Sequence, residues 1–146
     1  MIDTHTHLYL SDFAPDGGGA AAVRRALDAG ISHMVFPNVD RSTIEPLETL
    51  AGDFQDAVST AMGLHPTEIG ISWREDLQFI LNHIESHPGR FCAIGEIGMD
   101  LYWDKTFADE QMKALDIQLS LAARLDLPAI IHCREALPQT IEVLKG

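Results

Sequence analysis

The chain has 146 residues, and 22 acidic against 10 basic side chains leave a net charge of −12. At 46% apolar residues it is too apolar for a disordered segment, and its acidity excludes a broad basic surface gripping nucleic acid through phosphates. No run approaches the roughly 18 to 20 apolar residues that cross a bilayer, no secretory signal is visible, and Cys92 and Cys133 make no disulfide framework; one cytoplasmic globular domain over residues 1–146 is expected.

Two kinds of apolar segment alternate along the chain. Residues 2–6 read as a first strand, and Gly17, Gly18 and Gly19 after it as irregular structure. Residues 20–29 have helical composition and stop at Gly30. Residues 33–36 are a short β-prone run ending at Pro37-Asn38, and residues 42–50 look helical, with Ile44, Leu47 and Leu50 three apart. A third strand over 57–64 closes at His65-Pro66. Residues 75–87 place Leu77, Ile80, Leu81 and Ile84 at the i, i+3, i+4, i+7 spacing of an amphipathic helix ended by Pro88-Gly89. A fourth strand is expected over 91–97, the longest helix over 109–125 with Met112, Leu115, Leu119 and Ala122 in one stripe, a fifth strand over 129–133, and a last helix from 140 to 144.

Strands alternating with helices imply right-handed crossovers and a parallel α/β sheet. A doubly wound sheet and a (β/α)₈ TIM-type barrel share this local pattern. A barrel of about 250 residues would need three more units than the five read here.

Chemistry-bearing residues gather where such folds build sites, at the C-terminal ends of the strands. His5 and His7, two apart, present imidazoles to one side, either as metal ligands or as polar groups on a solvated strand end. Asp3 shares their parity and could hold a ring N–H. Glu96, among apolar neighbours, needs a metal or a salt bridge to offset its burial, and basic groups are scarce. His132 ends the fifth strand, and Arg134 follows as a cation suited to a phosphate or to an ion pair with Glu135 or Glu142. His65 could bind substrate or metal, or be structural, and Asp100 could anchor its loop or touch the site. His33, His83 and His87 read as structural, and Cys133 as packing against helices. A mixed His/carboxylate set without a Ser or Cys nucleophile suits a binuclear hydrolytic site. The glycine run lacks both the GxGxxG spacing and a Walker lysine.

Four ordered motifs, MIDTHTHL at 1–8, GLHP at 63–66, GEIGMD at 95–100 and IIHCREA at 130–136, resemble the TatD family of metal-dependent deoxyribonucleases in the amidohydrolase superfamily. The resemblance implies a (β/α)₈ barrel with two divalent ions (Mg, Mn or Zn) at its rim. It implies His5 and His7 as ligands of the first metal, Glu96 as the carboxylate shared by both, and His132 as a ligand of the second, with His65 and Arg134 near a substrate phosphate. The implied activity is ester hydrolysis by a metal-bound hydroxide, most typically of phosphodiesters in DNA. Family members run about 100 residues further, as a full barrel requires. That stretch normally carries another histidine ligand and the general-base aspartate, so the chain reads as the N-terminal part of a barrel, its catalytic base beyond residue 146 and its activity alone not expected. Another amidohydrolase-type or phosphomonoester hydrolase, and a non-catalytic fragment, are the alternatives.

Overall fold

A computed structural model describes residues 1–146, the side chain of Asp16 excepted. Five strands, β1 (Ile2–Asp3), β2 (His33–Pro37), β3 (Val58–Met62), β4 (Ala93–Asp100) and β5 (Ala129–Arg134), alternate with five helices, α1 (Gly18–Asp28), α2 (Ile44–Asp53), α3 (Trp73–Ser86), α4 (Ala108–Leu125) and α5 (Leu137–Lys145). All neighbouring strands pair in parallel, and their spatial order is their chain order, β1 to β5. That order decides between the two architectures: a doubly wound sheet reverses direction at a switch point, whereas every crossover here advances one position the same way. The result is a five-stranded half-barrel.

The core fills the space between sheet and helices. On α3, Leu77, Ile80 and Ile84 are buried as their spacing requires. On α4 the buried face includes Leu115 and Ala122 but also Gln111 and Gln118, while Met112 and Leu119 are only partly covered. The rotation away from the expected apolar stripe has a polar cause. Gln118 accepts from the Leu64 N–H (2.8 Å) and donates to the Leu64 carbonyl (3.3 Å), and Gln111 makes the same pair with Asp100 (2.9 and 3.1 Å). A buried backbone group without a partner is costly, and here one helix supplies partners to the ends of two strands.

Three expectations need correction. The glycine run is not irregular, because α1 begins at Gly18. A Cβ on Gly19 would lie 2.3 Å from the Leu8 carbonyl oxygen and 2.7 Å from Leu50 Cδ2, so glycine there lets the helix approach the segment after β1. β1 itself is two residues long rather than five; past Asp3 the chain keeps alongside β2 through Thr6 N–H to Val35 O (3.1 Å). β4 extends to Asp100, so Glu96 sits within the strand and not at its end, next to an irregularity in pairing with β5 between Ile94 and Ile97. β5 approaches so closely that a Cβ on Gly98 would meet the His132 carbonyl oxygen at 1.9 Å.

β1 and β5 are the edges, each with one strand partner among the described residues. β4 is buried throughout, but β5 is only half covered, and Ile131, Leu137 and Leu144 are exposed around it. Cys133 is therefore exposed although its sulfur does face α5, where the Thr140 hydroxyl reaches it at 3.5 Å. Among the described residues no helix is long and apolar enough to cross a membrane.

Candidate metal centre

His5 and His7 follow β1, His65 follows β3, Glu96 lies in β4 and His132 in β5. Parallel strands in sequential order bring these five side chains together, and Glu96 is the hub. Its Oε2 lies 2.9 Å from His5 Nε2 and 3.3 Å from His7 Nε2. Its Oε1 lies 3.2 Å from His132 Nδ1 and 3.8 Å from His65 Nε2. Glu96 is 6% exposed, so its neighbours decide its charge. Burial alone would raise its pKa, but the imidazoles of His132 and His7 at hydrogen-bond distance and the nearby His65 and His5 outweigh it. The carboxylate is held well below its usual range and stays ionised.

The histidines differ in which nitrogen they offer. Tyr9 commits its one hydroxyl hydrogen to the Pro37 carbonyl (2.5 Å), so its oxygen accepts from His7 Nδ1 at 2.8 Å. A neutral His7 then carries its lone pair on Nε2, which faces His5 Nε2 at 3.1 Å as well as Glu96. Three acceptor-capable atoms converge, and a proton on His5 can satisfy only one of those approaches. A divalent cation satisfies all three, and imidazole nitrogen with carboxylate oxygen is a usual donor set for one.

His132 is bracketed by carboxylates, Glu96 at Nδ1 and Asp100 Oδ2 at Nε2 (2.9 Å). The Glu96 hydrogen bond outweighs burial and, with Asp100, raises its pKa. Asp100 is fixed in turn, its Oδ1 accepting from the Tyr102 N–H at 2.9 Å. A ring donating from Nε2 to Asp100 presents Nδ1 as a ligand, the carboxylate–histidine arrangement common at metal sites. His65 turns the other nitrogen, Nε2, toward Glu96. The Thr67 backbone N–H donates to its Nδ1 (3.2 Å), so the neutral ring bears its proton on Nε2, facing the site. Burial, against the pull of Glu96 and with help from His132 and His7, pushes its pKa down to about 4 and keeps it neutral.

Arg134 makes neither expected ion pair its main contact; its guanidinium lies over the Tyr102 ring, 3.8 Å from the centroid. Asp3 accepts from the His5 backbone N–H (3.1 Å) and not from a ring. His33 meets Ser59, His83 meets Glu48 and His87 meets the His83 carbonyl, all apart from the Glu96 cluster. Sequence reasoning passed over Asn38, read only as a strand stop. It is fully buried, its side-chain amide donates to Gly63 O (2.9 Å), and its backbone carbonyl accepts the Glu96 N–H (3.2 Å), which positions the hub. Tyr9 and the two glutamines were missed too; the sole available signal was an amide at a helical position that its spacing turns inward.

A family model described as TatD related DNase matches residues 2–146. The chain belongs to the TatD family. The Escherichia coli K12 uncharacterized metal-dependent hydrolase YjjV is 36% identical over 135 residues, which cover 92% of this chain and 51% of that one. A 3'-5' ssDNA/RNA exonuclease TatD from Erwinia tasmaniensis is 31% identical, covering 99% of this chain and 54% of that one. The crystal structure of the E. coli YjjV TatD homologue superposes with a TM-score of 0.86 at 33% identity, again over 99% and 55% of the two chains. This TatD-family chain thus spans about half the length of the curated relatives it matches.

Proposed function

We propose that residues 1–146 form the N-terminal part of a TatD-type barrel in a cytoplasmic, divalent-metal-dependent hydrolase that cleaves phosphodiesters in DNA. One observation carries this reading: the two oxygens of Glu96 face two different histidine pairs, His5/His7 and His65/His132. A carboxylate so divided suits two ions, of Mg, Mn or Zn, better than one. Such ions supply Lewis-acid polarisation of the ester and acidify a water. The residues of this chain do the rest. His5, His7 and Glu96 would hold one ion, and Glu96 with His132 would hold the other while Asp100 keeps the His132 ring oriented. His65 is best read as a substrate contact, since its Nε2–H donates to a phosphoryl oxygen, and Arg134 offers a guanidinium to the phosphate. The general-base aspartate is assigned to the part of the barrel outside these residues.

The test is metal analysis of the full-length protein together with hydrolysis of single-stranded DNA, a phosphomonoester and a carboxyl ester. Two bound divalent ions and phosphodiester cleavage that is lost on chelation and regained on adding Mg²⁺, Mn²⁺ or Zn²⁺ are expected. Stoichiometric metal with turnover of only the other esters would redirect the substrate assignment, and no metal uptake would overturn the reading.

A further inference from the structure

Immediately after β4, two large aromatic side chains face solvent. Trp103 is 71% exposed and Tyr102 48%. They meet edge to face, 4.7 Å between centroids and 87° between planes, and Arg134 covers one Tyr102 face. Arg134 is also 5.3 Å from the Trp103 centroid. Two adjacent exposed aromatics are unfavourable in water unless something is laid against them. They stand two and three residues beyond Asp100, which holds His132, and so beside the metal centre.

Trp103 also walls a groove of about 360 Å³ between the segment after β3 and the segment after β4, with Pro66, Ile69 and Phe107. Three carboxylates line it, Glu68, Asp100 and Asp104. Those charges reject a phosphate from the groove, whereas the flat, uncharged face of a nucleobase meets no such penalty. The phosphate belongs instead with Arg134, which lies over the Tyr102 ring and does not line the groove. The groove lies between the third and fourth strands, not at either edge of the sheet.

Given the nucleic-acid reading above, on which this step rests, we propose that Trp103 is a stacking platform for an unpaired base of the substrate strand, with Tyr102 and Arg134 setting the register of the adjoining phosphate. Only a base already out of a duplex can lie on Trp103, so the platform selects single strands over double strands.

The experiment uses the full-length protein and a fluorescently labelled oligothymidylate, with an abasic strand of equal length as control. Native protein binds the base-bearing strand roughly 5- to 150-fold more tightly than the abasic one, the range that base–aromatic stacking provides. Trp103→Ala loses that difference and binds both strands alike, while Trp103→Phe keeps most of it. Trp103→Ala retaining the native preference, or native protein showing none, overturns the platform. Hydrolysis of the same strands separates the two readings. Base-selective binding without metal-dependent cleavage overturns the nuclease reading alone. Cleavage whose KM ignores Trp103→Ala overturns the platform alone.

Discussion

Glu96 combines three properties that rarely coincide: near-complete burial, a retained negative charge, and four imidazoles as its neighbours. Removing it takes a ligand from both halves of the cluster. In the full-length protein Glu96→Ala and His132→Ala are each expected to lower hydrolysis at least about 100-fold and to reduce bound metal, with far-UV circular dichroism unchanged, because each side chain faces the other polar groups of the cluster and not apolar packing partners. Normal turnover in Glu96→Ala would remove the bridging assignment. Asp100 acts through His132. Asp100→Asn leaves the ligand set intact but weakens the acceptor that orients the ring, so divalent-ion affinity should fall by about 10- to 100-fold. Titration calorimetry reads this directly, and unchanged affinity would mean Asp100 serves only its loop. At this scale the sequence was informative where chemistry and position coincide. His5 and His7 just past β1, Glu96 within β4 and His132 within β5 form a pattern that composition alone does not produce. Tyr9 and Asn38 carry no such signal, since a tyrosine and an asparagine near strands are ordinary until the chain folds over them.

Elements matter through the precision with which they meet. Gln118 sits 54 residues from Leu64 in sequence yet satisfies both backbone groups of that residue, just ahead of His65. Replacing it by leucine keeps the volume and strands two buried polar groups. Gln118→Leu is expected to cost about 2–4 kcal/mol. Urea unfolding measures it, and a loss below about 0.5 kcal/mol would mean water takes over both bonds. The same meeting of elements explains where periodicity misled. The spacing of Met112, Leu115, Leu119 and Ala122 does describe a helix face, but the face turned inward is set by glutamines that hydrophobicity ignores. Three glycines in a row read as a break for the same reason: the value of Gly19 is its close approach to Leu8, where a Cβ would lie 2.3 Å from the carbonyl oxygen, and only the partner segment makes that approach visible.

For the whole molecule, the candidate metal centre would also be a clasp. The side chains proposed as its ligands come from β4, β5 and the segment after β1, so ions bound there would tie the first strand's end to the last two strands of the half-barrel. In the full-length protein, divalent metal at about 100 times its dissociation constant should add about 2.7 kcal/mol of stability per site and raise Tm by several degrees, reversed by chelator. Scanning calorimetry with and without chelator tests this, and an unchanged Tm would mean the cluster binds no metal in the folded state. The alternation of strands and helices, the parallel sheet and the candidate His and Glu ligands were legible in the sequence, because periodicity and side-chain chemistry are local properties. Tertiary structure alone decided the sequential strand order, the division of the two Glu96 oxygens between histidine pairs, the tautomers of His7 and His65, and the aromatic platform beside Arg134. Each of these depends on groups distant in the chain meeting within a few ångströms, and no local pattern encodes such a distance.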